Sequence, residues 1–203
     1  MFVERPHTNG VPKQRRLLYG VGINDAKYVV SYKDAQGRTQ TCPYYRTWAG
    51  MLGRCFSSSF QAKRPTYSGC TVDASWKLFS NFKLWMQAQD WVGKVLDKDL
   101  LSWDNKHYGP STCLFISHAL NNLLCLRHLN RGTLPLGVST TTIKGHTYFT
   151  ASCSFYGKQK RLGYFKTQEE AAAVYKKAKI DYIFKLAEKE SDPKVKRSLL
   201  NIW

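Results

Sequence analysis

Apolar residues change their spacing several times along the chain, and each change marks an element. Lys27-Tyr28-Val29-Val30-Ser31-Tyr32 is β-branched and aromatic, and Asp34-Ala35-Gln36-Gly37 turns it into Arg38-Thr39-Gln40-Thr41, which predicts a hairpin. From Pro43 the period becomes helical: Trp48, Met51, Leu52 and Cys55 fall at i, i+3, i+4 and i+7, with Arg46 and Arg54 off the stripe. A Ser-, Lys- and Pro-rich loop is expected over 57–65. Cys70-Thr71-Val72 reads as a short strand, and Asp73 or Ser75 as the cap of a second helix bearing Trp76, Phe79, Phe82 and Met86. These aromatics are expected in the core.

Next come an apolar strand with charges set into it (94–101), a polar loop (102–112) and a strand Cys113-Leu114-Phe115-Ile116. Ser117 then caps a helix from His118 to Leu124. Beyond Asn130-Arg131-Gly132, strands are expected over 138–142, 147–155 and 160–165, with turns at Lys144-Gly145 and Tyr156-Gly157-Lys158. Thr167 with Glu170 three residues on forms a capping box, opening a helix with Ala171, Ala172, Val174, Tyr175, Ala178, Ile180, Ile183 and Phe184 that runs past Leu186. The fold class is α+β. In the middle strand Phe149, Ala151 and Cys153 face the helix, while Thr150, Ser152 and Ser154 face outward beside Ser139, Thr141, Gln159 and Arg161.

Charge adds a partner to this picture. The 203 residues hold 31 Lys and Arg against 14 Asp and Glu, a net +17. Both parts share the excess, with 16 bases against 8 acids over 1–126 and 15 against 6 over 127–203, so a folded basic surface is expected rather than one charged tail. Nucleic acid is the polyanion it fits. Residues 1–19, with Lys13, Arg15 and Arg16, read as a basic arm. No apolar run is long enough for a bilayer span and the start has no signal-peptide core, so a cytoplasmic protein without membrane contact is expected. The six cysteines form no Cys-x-x-Cys pair. Reduced, buried thiols are the expectation, and a structural zinc held by Cys42, Cys55, Cys70 and Cys113 is disfavoured by loose spacing.

Two resemblances carry the reading towards function. Gly137-Val138, Tyr148-Phe149-Thr150-Ala151, then Arg161-Leu162-Gly163-Tyr164-Phe165-Lys166-Thr167-Gln168-Glu169-Glu170-Ala171-Ala172 with Tyr175 and Ala178, resembles the APETALA and ethylene-response-factor type DNA-binding domain over roughly 133–190. That family binds double-stranded DNA through its sheet. The resemblance implies Ser139, Thr141, Lys144, Thr150, Ser152, Ser154, Gln159 and Arg161 as contacts, although plant members hold Arg or Trp at several places that are Ser or Thr here.

Upstream, over 20–126, Trp48-x-x-Met51-Leu52-x-Arg54-Cys55, Trp76-x-x-Phe79-x-x-Phe82, Leu96-Asp97-Lys98-Asp99-Leu100, Asn105, Tyr108, Pro110, Cys113-x-Phe115 and Asn121 resemble the HNH-type (His-Me finger) proteins of bacteriophages, many described as homing endonucleases. That resemblance implies a ββα-metal module cleaving DNA with Mg2+ or Mn2+, the metal held by Asp97, Asp99 and Asn121. Lys98 stands where the family has its catalytic His, and a lysine is a poor base near neutral pH. His107 or Lys98 is left as the base, with Asn105 beside His107 and His118 a further substitute. A catalytically inactive DNA-binding or inhibitory factor acting on host or phage machinery is the alternative, and an RNA-associated protein a third. The aromatic first half leaves room for a protein partner, and 191–203 reads as a tail.

Overall fold

The computed structural model describes residues 2–7, 16–102, 104–124 and 133–201. The chain is mixed α and β and divides into two units, 1–115 and 116–203, so the break falls earlier than the expected linker after 126.

In the first unit the expected hairpin forms as β1 (Ser31–Lys33) and β2 (Thr39–Thr41), with Ser31 opposite Thr41. Asp34 closes the turn: its Oδ1 accepts the N–H groups of Gln36 and Arg38, at 3.0 and 2.9 Å. The strand is shorter than the apolar run because Tyr28 bridges instead to Pro6, and the N–H of Val29 donates to the carbonyl of Arg5. Residues 2–7 are therefore docked rather than a free arm. Phe2 and Arg5 lie against Tyr32, and Lys83 pairs with Glu4 at 2.6 Å. Lys13 and Arg15 fall outside the described residues.

Helix α1 (Pro43–Phe56) begins on a proline that tolerates the first helical turn. It buries Trp48, Met51, Leu52 and Cys55, the expected stripe. Trp48 satisfies its indole N–H on the carbonyl of Trp76, at 2.7 Å. The expected loop after α1 is instead helical, α2 (Ser58–Lys63) followed by a 3-10 turn, Pro65–Tyr67. Ser57 caps α2, and Gln61 donates to the carbonyls of Arg54 and Cys55, so local side-chain bonds sustain a helix that hydrophobic spacing does not announce.

Strand β3 (Thr71–Val72) follows. Asp73 caps only a 3-10 turn, Ala74–Lys77, and α3 (Phe79–Gln87) starts at Phe79 without a side-chain cap. Trp76, Phe79, Phe82 and Met86 are buried with Trp48, and the rings of Trp76 and Phe82 meet edge to face at 5.0 Å. These aromatics are core, as their spacing predicts.

Strand β4 (Lys94–Asp97) stops four residues earlier than its apolar pattern suggests. Asp97 is the reason: its Oδ2 accepts the N–H of Asp99 at 2.9 Å and of Leu100 at 2.7 Å, which bends the backbone out of the strand. Strand β5 (His107–Tyr108) arises inside the expected loop and pairs in parallel with β3, Thr71 opposite His107. Strand β4 pairs with β6 (Leu114–Ser117), the strand at which one unit gives way to the other along the sequence.

In the second unit Ser117 caps α4 (His118–Leu124), its Oγ accepting the N–H of Leu120 at 3.1 Å. Strands β7 (Val138–Ile143), β8 (His146–Phe155) and β9 (Lys158–Phe165) make one antiparallel sheet in that order. Helix α5 (Gln168–Lys189) packs across it, opened by the capping box of Thr167 and Glu170. Ala151 and Cys153 are buried under the helix with Ala171 and Ile183. Glycine at 137 allows this close approach to α5, because a Cβ there would stand 2.0 Å from the Tyr175 ring. The helix face is rotated from expectation at its end: Phe184 is 45% exposed, whereas Lys179, Tyr182 and Ala187 are buried. The expected tail contains a further helix, α6 (Pro193–Leu200), capped by Asp192 and buried through Val195 and Leu199. Among the described residues no helix is long and apolar enough to cross a membrane.

Candidate nucleic-acid interface and candidate catalytic cluster

The outward face of the three-stranded sheet follows from its register. Ser139 pairs with Thr150 and Thr141 with Tyr148 on one side, Tyr164 with Thr150 and Arg161 with Ser152 on the other. Partners share a face. Ser139, Ser154, Gln159, Arg161 and Lys144 are exposed, and Thr141 and Ser152 are half-buried. Thr150 is different: at 4% exposure in the centre of the face, its hydroxyl bonds the Ser139 hydroxyl at 2.8 Å and the Ser139 carbonyl at 3.0 Å. Thr150 braces the two strands and offers little to a ligand.

Two residues of this face escaped the sequence reading. Tyr148 shares the parity of Thr150 and was open to detection by alternation. Tyr164 was not, because a bulge at Ala151/Ser152 breaks the register. Arg161 and Tyr164 are three apart, which in a regular strand places them on opposite faces; the extra residue puts them on one. The Arg161 guanidinium lies 5.1 Å from the Tyr164 ring centroid and donates to its hydroxyl. Tyr148 meets Tyr164 edge to face at 6.4 Å. Electrostatically the face is one-signed: no acidic residue occurs between Asp104 and Glu169, while Lys144, Lys158, Lys160, Arg161 and Lys166 lie on these strands, their turns or the strand end.

The second candidate site is in the first unit. Lys98 is buried, and its ammonium donates to the Asp99 carboxylate and the Asn105 carbonyl. Asn105 in turn ties the loop, donating at 2.8 Å to the carbonyls of Lys98 and His107 and accepting the His107 N–H at 2.9 Å. Asp97, Lys98, Asp99, Asn105 and His107 thus form one corner, whereas Asn121 sits on α4 in the other unit and His118 is exposed at that helix's start. Burial raises the Asp97 carboxyl above its usual value, opposed by the N–H of Leu100.

His107 has partners that sequence reasoning missed. Its Nδ1 bonds the Thr71 hydroxyl at 2.9 Å, and its Nε2 lies 4.0 Å from Asp73 Oδ2. The hydroxyl and N–H of Ser75 hold the Asp73 carboxyl below the ordinary range. No local signal announces this grouping, which depends on β3 pairing with β5. The arrangement suits proton transfer at an imidazole edge.

A divalent ion held by both carboxylates of this corner competes with bonds already made there. Asp97 Oδ2 is engaged by two backbone N–H groups and the Asp99 carboxylate by an ammonium, so a dication at both residues has to displace Lys98. Among the described residues no three His, Cys, Asp or Glu side chains gather as metal ligands. The thiols of Cys42, Cys55, Cys70, Cys113 and Cys153 are free and buried; burial pushes Cys55 and Cys113 up to about 12 each. Cys42 bonds the Tyr28 hydroxyl at 3.2 Å. Cys125 falls outside the described residues. Comparison of the chain with family models, curated proteins and solved structures finds no match.

Proposed function

We propose that this chain is a DNA-binding protein that engages double-stranded DNA with the outward face of its three-stranded sheet. One observation supports this above the others: a polar face carrying Ser139, Thr141, Ser152, Ser154, Gln159 and Arg161 stands exposed or half-exposed in a stretch devoid of acidic residues. Such a sheet has the width of a major groove, where cationic groups reach phosphates and amides and hydroxyls reach base edges. Lys144 at the first turn adds a phosphate contact. In the first unit the Lys98 ammonium already neutralises Asp99, and Asp97 is held by backbone N–H groups, so that unit acts as a non-cleaving scaffold or partner-binding module. The test is duplex binding across a salt series. Affinity should fall steeply with salt, and Arg161→Ala with Lys144→Ala should weaken binding and flatten the slope. Binding indifferent to salt contradicts the reading.

A second reading, a metal-dependent HNH-type endonuclease, is favoured by one observation: Asp97, Asp99, Asn105 and His107 lie in one corner, with His107 oriented by Thr71. Supercoiled plasmid incubated with Mg2+, Mn2+ or chelator separates the two. Metal-dependent relaxation that disappears in Asp97→Ala and His107→Ala selects the nuclease; intact plasmid with retained duplex binding selects the scaffold.

A further inference from the structure

We propose that the outward sheet face also takes single-stranded DNA, with an unpaired base stacked on Tyr164. This rests on the nucleic-acid reading of the same face. One hydroxyl at the centre of the face is spent internally, since Thr150 bonds both the hydroxyl and the carbonyl of Ser139 across the strands. The feature adjoining that pair is aromatic. Tyr164 lies opposite Thr150, is 46% exposed, and has Tyr148 edge-on beside it.

Tyr164 stands on the outward face of the sheet. Its strand neighbour Gly163 faces the helix side opposite Ala151, and the bulge turns Tyr164 to the same side as Arg161. Arg161 fixes the ring from one side by its guanidinium and through the tyrosine hydroxyl. A phenol ring restrained in this way, exposed and flanked by cations, is a stacking platform: π-faces attract base faces, and Arg161 and Lys166 attract the backbone. A paired duplex hides its base faces within the stack. Only an unpaired strand presents them, so charge and ring together select single-stranded DNA rather than an acidic protein, which would use the cations alone.

The experiment uses the full chain with a fluorescent oligo-dT of about 15 nucleotides, a site size ordinary for such platforms. An abasic oligomer of equal length and a duplex of equal length are measured at matched salt. The oligo-dT should bind at least about tenfold tighter than the abasic oligomer. Tyr164→Ala should remove that difference between oligo-dT and abasic oligomer; Tyr164→Phe, which keeps the ring, should retain most of it. If Tyr164→Ala does not fold, the comparison of dT with abasic oligomer in the unaltered protein decides alone. Equal affinity for dT and abasic strands overturns the stacking proposal, as does a preference for dT over abasic strands that survives Tyr164→Ala. Duplex binding without any oligo-dT binding sinks this inference and leaves the proposed function standing, whereas failure to bind either sinks both.

Discussion

The ammonium of Lys98 is buried against the carboxylate of Asp99, with 6% of the lysine side chain exposed and 48% of the aspartate. The pair is asymmetric, and so are its expected responses to mutation. Lys98→Met leaves a half-exposed carboxylate that water can solvate and should cost no more than about 1 kcal/mol. Asp99→Ala leaves an ammonium enclosed with only the Asn105 carbonyl as acceptor and should cost about 1–3 kcal/mol. Urea denaturation of both variants checks the order, and a larger loss in Lys98→Met would refute it.

Asp97 gives a pH-dependent signature. Burial raises its carboxyl in the folded protein, so the folded state holds the proton more tightly than the unfolded chain. Its contribution is therefore fully present below the unfolded value of about 3.9, and is lost as pH rises through the raised folded value. Asp97→Asn keeps an oxygen for the N–H groups of Asp99 and Leu100 while removing the buried charge. It should raise the melting temperature at neutral pH and lose that advantage in acid; a stabilisation independent of pH would refute the assignment.

Lys144 sits at φ 49°, and with Gly145 at φ 80° it makes the tight turn between β7 and β8. A lysine at positive φ is strained where asparagine is at ease. Lys144→Asn should stabilise the protein by about 0.5–1 kcal/mol while weakening DNA binding. Thermal unfolding and duplex titration on the same variant check both halves, and stabilisation with unchanged affinity would remove Lys144 from the interface.

Gly137 combines φ 76° with the Tyr175 ring where its side chain would be. Gly137→Ala should cost more than about 2 kcal/mol. Removing the ring as well, in Gly137→Ala with Tyr175→Ala, should not restore stability, because the backbone strain persists. Calorimetry distinguishes the two contributions.

The Cys55 and Cys113 thiols, each pushed up to about 12 by burial, should resist disulfide-exchange reagents in the native protein and react after denaturation. Mass mapping of modified cysteines reads this directly, and native labelling at either position would contradict the packing.

Local chemistry made several elements legible. The Trp48 stripe of α1, the capping box of α5 and the strand, turn and strand pattern of the sheet could be read because each is set by residues close in sequence. The candidate sites were only half legible. Asp97, Lys98, Asp99 and Asn105 are near one another along the chain, so their grouping was readable, although the bond from the Lys98 ammonium to the Asn105 carbonyl was not. Helix α2 buries no residue and so shows no apolar stripe, and helix α6 is short, its apolar residues Val195 and Leu199 buried only once the chain has folded.

By itself the sequence determined the basic charge, the aromatic core and the alternation that sorts Ala151 and Cys153 from Ser152 and Ser154, since these depend only on composition and on the period of two in a strand. Tertiary structure decided the rest. Parallel pairing of β3 with β5 brought Thr71 to His107 across a gap of 36 residues, and one bulge moved Tyr164 onto the face of Arg161. Both outcomes depend on register, which is fixed by packing between distant segments and not by any local preference.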